Sequence, residues 1–223
     1  MSKITLENIS SFRKHLQGKK EIETSEKCLK HLDKFYELFP NNPELLSLLK
    51  EGDVYNPKSA EKDYFFNYIE HRLKPLGHIT VRSSRPYKNA IQDIGFFRKL
   101  LIQVTDKSLP VSKRLSGWEK IKFFGGDKLI AKKIAFLYDK DNIYPIYKNS
   151  DWEEFFRQLE IGFMEESERH FHRQYKDLLI EEKFEIFNSL LKRFQQNEPL
   201  IKNWETHMVG GLLYHTFKIS RIK

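Results

Sequence analysis

Between Trp118 and Trp152 the chain gathers residue types that hold a phosphate: two adjacent glycines, several lysines, and an apolar stretch directly behind them. Gly125 and Gly126 permit a tight turn at positive φ with no side chain in the way. The backbone N–H groups of such a turn, and of a helix N-terminus following it, carry partial positive charge and suit an anion. From residue 113 to 133, seven basic residues (Lys113, Arg114, Lys120, Lys122, Lys128, Lys132, Lys133) stand against two acids (Glu119, Asp127), a net of +5 in a chain whose total is +8. Gly125, Gly126 and Asp127 in the turn, with Lys122, Lys132, Lys133 and Arg114 around it, are therefore the expected contacts to a nucleic-acid backbone. Asp127 has two uses open to it, an N-cap for the following helix or a ligand to a cation shared with DNA. Trp118, Tyr144, Tyr147 and Trp152 flank the turn; together they are suited to stacking on a flipped base, while each taken alone reads first as core.

Other candidates carry less. Arg82, Arg85 and Lys88 form a second basic cluster around Ser83-Ser84, which reads as a solvated turn within reach of a phosphate. His170 and His172 diverge by about 200° if helical, so no metal site is expected there. There is no Gly-x-x-x-x-Gly-Lys loop, which excludes a P-loop ATPase. One cysteine, Cys28, excludes a disulfide framework and a cysteine-rich metal centre within the chain. No cofactor is expected.

The elements that must position these residues read as helices. The 223 residues are 39% hydrophobic and 31% charged, a globular balance, and the pI near 9.3 favours a polyanionic partner. Helical spacing predicts helices over Leu6–Leu16, Thr24–Phe39, Tyr87–Val104, Ser112–Lys122, Lys128–Tyr138 and Asp151–Leu159. Asn42-Pro43-Glu44 is a helix start, and Ser59 is expected to cap another. Residues 78–82 suggest a short extended piece. Ile180, Phe184, Phe187, Leu191 and Phe194 form a packing stripe. A last helix is expected from Pro199, interrupted at Gly210-Gly211. The fold class is all-α, one helical domain with two lobes at about 1–106 and 107–223. No apolar run reaches the roughly 20 residues that span a bilayer, and the charged N-terminus reads as helix, so a cytoplasmic monomer off the membrane is expected.

The stretch from about 90 to 160 resembles the helix-hairpin-helix and following loop of the helix-hairpin-helix–Gly/Pro-rich–Asp DNA glycosylases, nearest in style to their archaeal 8-oxoguanine branch. It also resembles a helical domain of methylcytosine-restriction-type proteins. The likeness lies in the hairpin at about 113–138, the apolar helix, and the loop Asn142-Ile143-Tyr144-Pro145-Ile146-Tyr147. The resemblance implies a base-excision enzyme, with or without lyase activity, acting on a damaged or modified base of double-stranded DNA in repair or in defence. Aligned on the apolar helix, Lys128 takes the nucleophile's place and Asp151, beside Trp152, that of the aspartate. Aligned on Gly125, Leu129 takes the lysine's place and neither catalytic residue is present. The family turn is Gly-x-Gly, and its third position here is Asp127. The alternative is a non-catalytic helix-hairpin-helix DNA-binding module of a restriction or defence system.

Overall fold

A computed structural model describes residues 4–79, 81, 83–124 and 126–217, and among them every regular element is helical. Helix α1 spans Leu6–Leu16, and Thr5 and Asn8 cap it reciprocally. Helix α2 spans Lys19–Leu38, starting earlier than its apolar stripe suggests. Asn42 caps α3, Pro43–Ser47, with Pro43 in the first turn as expected. The short α4, Glu51–Val54, follows.

Ser59 starts no helix. The next regular residues are α5, Phe65–Asn67, continuing into a π turn at Tyr68–Arg72 and a 3₁₀ turn at Lys74–Leu76. Gly77 then turns the chain at φ +101°, and a β-carbon there would lie 2.5 Å from the Tyr147 ring. His78 and Ile79 form no strand, and Thr80 and Arg82 lie outside the described residues.

The helix expected over Tyr87–Val104 is two, α6 (Arg85–Gln92) and α7 (Ile94–Thr105). Asp93 separates them and caps α7 by accepting from the Phe96 N–H at 3.1 Å. The helix expected over Ser112–Lys122 is also broken. Only α8, Val111–Arg114, and a 3₁₀ turn at Trp118–Lys120 form, because Gly117 reverses the chain at φ +85° between them. The segment before the glycine pair is thus two short turns and not the first helix of a hairpin.

Helix α9, Leu129–Tyr138, lies against α7 and the π turn. Ala131 and Ala135 are buried and small, and Tyr138 donates to the Phe39 carbonyl at 2.8 Å, fixing α9 to the end of α2. Helices α10 (Asn149–Leu159), α11 (Met164–Phe171) and α12 (Ile180–Asn197) follow. Phe184, Phe187 and Leu191 of the predicted stripe are fully buried. The last helix, α13, spans Thr206–Thr216 and runs through Gly210-Gly211 without a break. Those glycines permit close approach: β-carbons there would lie 3.3 Å from Pro145 and 3.0 Å from Phe12. One contiguous cluster of buried side chains runs from Ile4 to Leu213. Among the described residues no helix is long and apolar enough to cross a membrane.

Candidate nucleic-acid interface

The position of α9 decides the fate of the basic stretch. With neighbours on every side, α9 offers no solvent face, so its lysines are buried whatever their type. Lys132 is 0% exposed, and its Nζ donates to the Tyr147 carbonyl at 2.9 Å and to Asn149 Oδ1 at 2.7 Å, 4.9 Å from the centre of the Phe184 ring. Lys133, also 0% exposed, donates to the carbonyls of Leu73 and Gly77 at 2.9 and 2.7 Å. Burial pulls both ammonium groups down to about 7; Asp127 and Glu181 oppose it at Lys132, and Cys28 and Glu70 at Lys133. Neither amine can reach a phosphate.

Arg114 is buried as well. It donates to Asp139 Oδ2 at 2.6 Å and to the Val104 carbonyl at 2.9 Å, tying α8 to the ends of α7 and α9. Lys128 occupies the N-cap of α9 in left-handed backbone, φ +52°. Its buried amine pairs with Glu119 at 2.7 Å and Glu181 at 2.9 Å, and donates to the Leu115 carbonyl at 3.1 Å. An amine held by two carboxylates is a structural cation and no ready nucleophile. Asp151 accepts from the Tyr214 hydroxyl at 2.7 Å, so the two proposed catalytic groups serve separate partners.

The expected base pocket is core. Trp118 packs against Phe97 and Phe124, and Trp152 stacks on Phe187 with ring centres 5.6 Å apart while donating to the Ile146 carbonyl. Tyr144 donates to Gln195, and Tyr147 donates to the Leu76 carbonyl at 2.8 Å. All four rings are buried, and none offers a face to a base. Of the turn itself, Gly125 lies outside the described residues, while Gly126, at φ +67°, and Asp127 are exposed. Asp127 is not the cap of α9, since Lys128 holds that position.

What remains exposed from the basic stretch is Lys113, Lys120 and Lys122, and the fold adds to them. Asn89 Nδ2 donates to the Lys122 carbonyl at 2.8 Å and fastens the loop before the glycine pair to α6. Arg85 lies one turn before Asn89 on that helix and so shares its face. Its guanidinium carbon sits 6.0 Å from the centre of the Phe123 ring, and Lys122 Nζ sits 5.6 Å from the same centre. Lys88 is exposed beside them on α6. Arg85 and Lys122, from two basic clusters separate in sequence, therefore share one surface.

Phe123 lies at its middle, 54% exposed. The Phe124 N–H donates to the Ile121 carbonyl at 3.0 Å, closing a four-residue turn in which Phe123 is third, at φ +73°. That position favours glycine or asparagine. Phe124 goes inward, packing on Trp118 and Phe66, and Phe123 is thereby turned outward. Neither Phe123 nor its pairing with Arg85 stands out by residue type. The available signal was two adjacent phenylalanines entering a turn, where consecutive side chains cannot share a face.

Comparison of the chain with protein-family models, with characterised proteins and with solved structures finds no match. Among the described residues, no group of three or more His, Cys, Asp or Glu side chains is placed to hold a metal ion. His170 instead pairs with Glu185 at 2.9 Å.

Proposed function

We propose that the chain is a DNA-binding module that grips the backbone without chemistry on the base, through the loop at Lys120–Phe124 and the adjoining face of α6. The observation that carries this reading is the Asn89–Lys122 hydrogen bond, which joins Arg85 and Lys88 to Lys122 on one exposed surface of a chain with net charge +8. Three cations on a fixed scaffold suit phosphates spaced along a strand, and contacts of this kind give affinity without sequence preference. Gly126 leaves open space just beyond the loop, so a backbone can approach closely.

The base-excision reading asks more of the molecule. Lys128 would have to leave Glu119 and Glu181, and Asp151 would have to leave Tyr214. The non-catalytic reading asks for no such rearrangement.

The test is fluorescence anisotropy with labelled DNA over a salt series. Log affinity should fall linearly with log salt, and Arg85→Glu, Lys88→Glu and Lys122→Glu should each weaken binding on unrelated sequences alike. Removing one phosphate contact should lower the slope by about 0.9 on duplex DNA. Wild-type protein that ignores DNA at low salt would remove the proposal. Duplexes with modified bases, treated with alkali or borohydride, should yield neither abasic product nor trapped adduct. Product lost in Lys128→Ala would restore the base-excision reading.

A further inference from the structure

We infer that Phe123 is a stacking platform for an unpaired base, so that this interface takes single-stranded DNA in preference to duplex; the inference rests on the backbone-binding reading above.

Among the described residues five non-glycine residues have positive φ, and Phe123 is the one with an apolar side chain. An exposed ring in strained backbone contributes nothing to the core, and strain of this kind is retained where a side chain must be presented. Both chain neighbours of Phe123 are held in place. Phe124 is anchored among Trp118 and Phe66 on one side, and Asn89 holds the Lys122 carbonyl on the other.

The chemistry around the ring is that of a strand, not of a protein partner. Arg85 and Lys122 stand at 6.0 and 5.6 Å from its centre, near the outer limit of about 6 Å at which a cation engages a ring. Among the described residues neither is paired with a carboxylate, so both can turn to phosphates. Of the two carboxylates on either side of the ring in sequence, Glu119 is committed to Lys128, and Asp127 lies exposed four residues beyond Phe123. An aromatic face between cations binds a base by stacking while the cations neutralise the flanking phosphates, and it does so without regard to sequence. In a duplex each base face is already covered by its neighbours, so only the phosphate contacts remain.

The experiment compares a labelled oligothymidine with a hairpin duplex presenting the same number of phosphates, at one salt concentration. Wild type should bind the single strand about tenfold or more tightly than the duplex, and Phe123→Ala should lose about that factor on the single strand while changing duplex binding little. Phe123→Trp should keep the preference. Phe123→Leu, as apolar but without a flat π face, should behave like the alanine variant. Phe123 is exposed, so these variants should fold, and melting followed by circular dichroism checks that they do. Equal loss on both ligands in Phe123→Ala, or no loss on either, overturns the stacking role. Equal wild-type binding to both, weakened on both by Lys122→Glu, also overturns it while leaving the backbone reading intact. If wild type binds neither ligand, both readings fall together.

Discussion

Lys122 and Lys132 belong to one basic stretch of the sequence, and the fold sends them to opposite environments. Lys122 stands in a loop with its amine in solvent near an exposed ring. Lys132 stands on a helix packed on all sides, with its amine against a carbonyl and an amide oxygen. Lys133, Lys128 and Arg114 share the second fate. Four of the seven cations counted between residues 113 and 133 are thus inside the molecule, where charge serves to join elements. Of the three left outside, Lys122 gains weight because α6 brings Arg85 to the same surface. Local net charge therefore overstates an interface when the stretch contains a central helix.

The sharpest way to break this comparison is to reverse charge in each region. Lys132→Glu or Lys133→Glu would bury a carboxylate against oxygen acceptors, a loss of more than about 4 kcal/mol that should leave the protein unfolded. Lys122→Glu should change stability by less than about 0.5 kcal/mol while weakening DNA binding. Circular dichroism melts of the three variants decide the matter. A Lys133→Glu protein that melts like wild type and only loses DNA affinity would place that amine on the surface after all.

The two buried lysines also make stability depend on pH. Lys132 and Lys133 titrate near 10.5 in the unfolded chain and at about 7 when folded, because burial disfavours the charged form. Between about pH 7 and 10 the unfolded chain holds more protons, so stability rises with pH over that window, by up to about 1.4 kcal/mol per pH unit for each lysine. Below about 7 both states are protonated and this contribution is level. Above about 10 the sign reverses, because burial raises tyrosines such as Tyr36 to about 12 and the unfolded chain releases those protons first. Lys132→Met should clearly lower the slope of denaturation free energy against pH between 7 and 9.5. An unchanged slope would mean that Lys132 is not the titrating group.

The same contrast explains how far the sequence could be read. Helical class, α1, the Asn42 cap, α9 and the stripe of α12 follow from spacing and end signals that are local. The burial of Lys133 does not, because its acceptors are carbonyls 56 and 60 residues away in the chain. Gly210-Gly211 reads locally as a break, yet it continues α13 because Pro145 and Phe12 need the space. Joining Arg85 to Lys122 likewise depends on one side-chain contact across 33 residues. Chemistry assigned by residue type fails where tertiary neighbours decide whether a side chain meets solvent or carbonyl.

The smallest predicted effect sets stability against binding at one residue. Phe123 holds φ +73° with a ring that is more than half exposed. Left-handed backbone costs a residue with a β-carbon roughly 1–2 kcal/mol, which glycine escapes. Glycine gives back part of that through the greater freedom of the unfolded chain. Phe123→Gly should therefore stabilise the fold by about 0.5–1 kcal/mol, a rise of roughly 1–4 °C in melting temperature for a chain of this length. No core contact is lost, since Phe124 supplies the inward ring. Lys128, the other left-handed residue beside the glycine pair, gives the opposite outcome: Lys128→Gly relieves the same backbone but leaves Glu181 buried without its cation. That variant should be less stable than wild type. A Phe123→Gly protein that also melts lower would mean that the ring supports the loop, and strain at the turn would no longer mark a residue held there for binding.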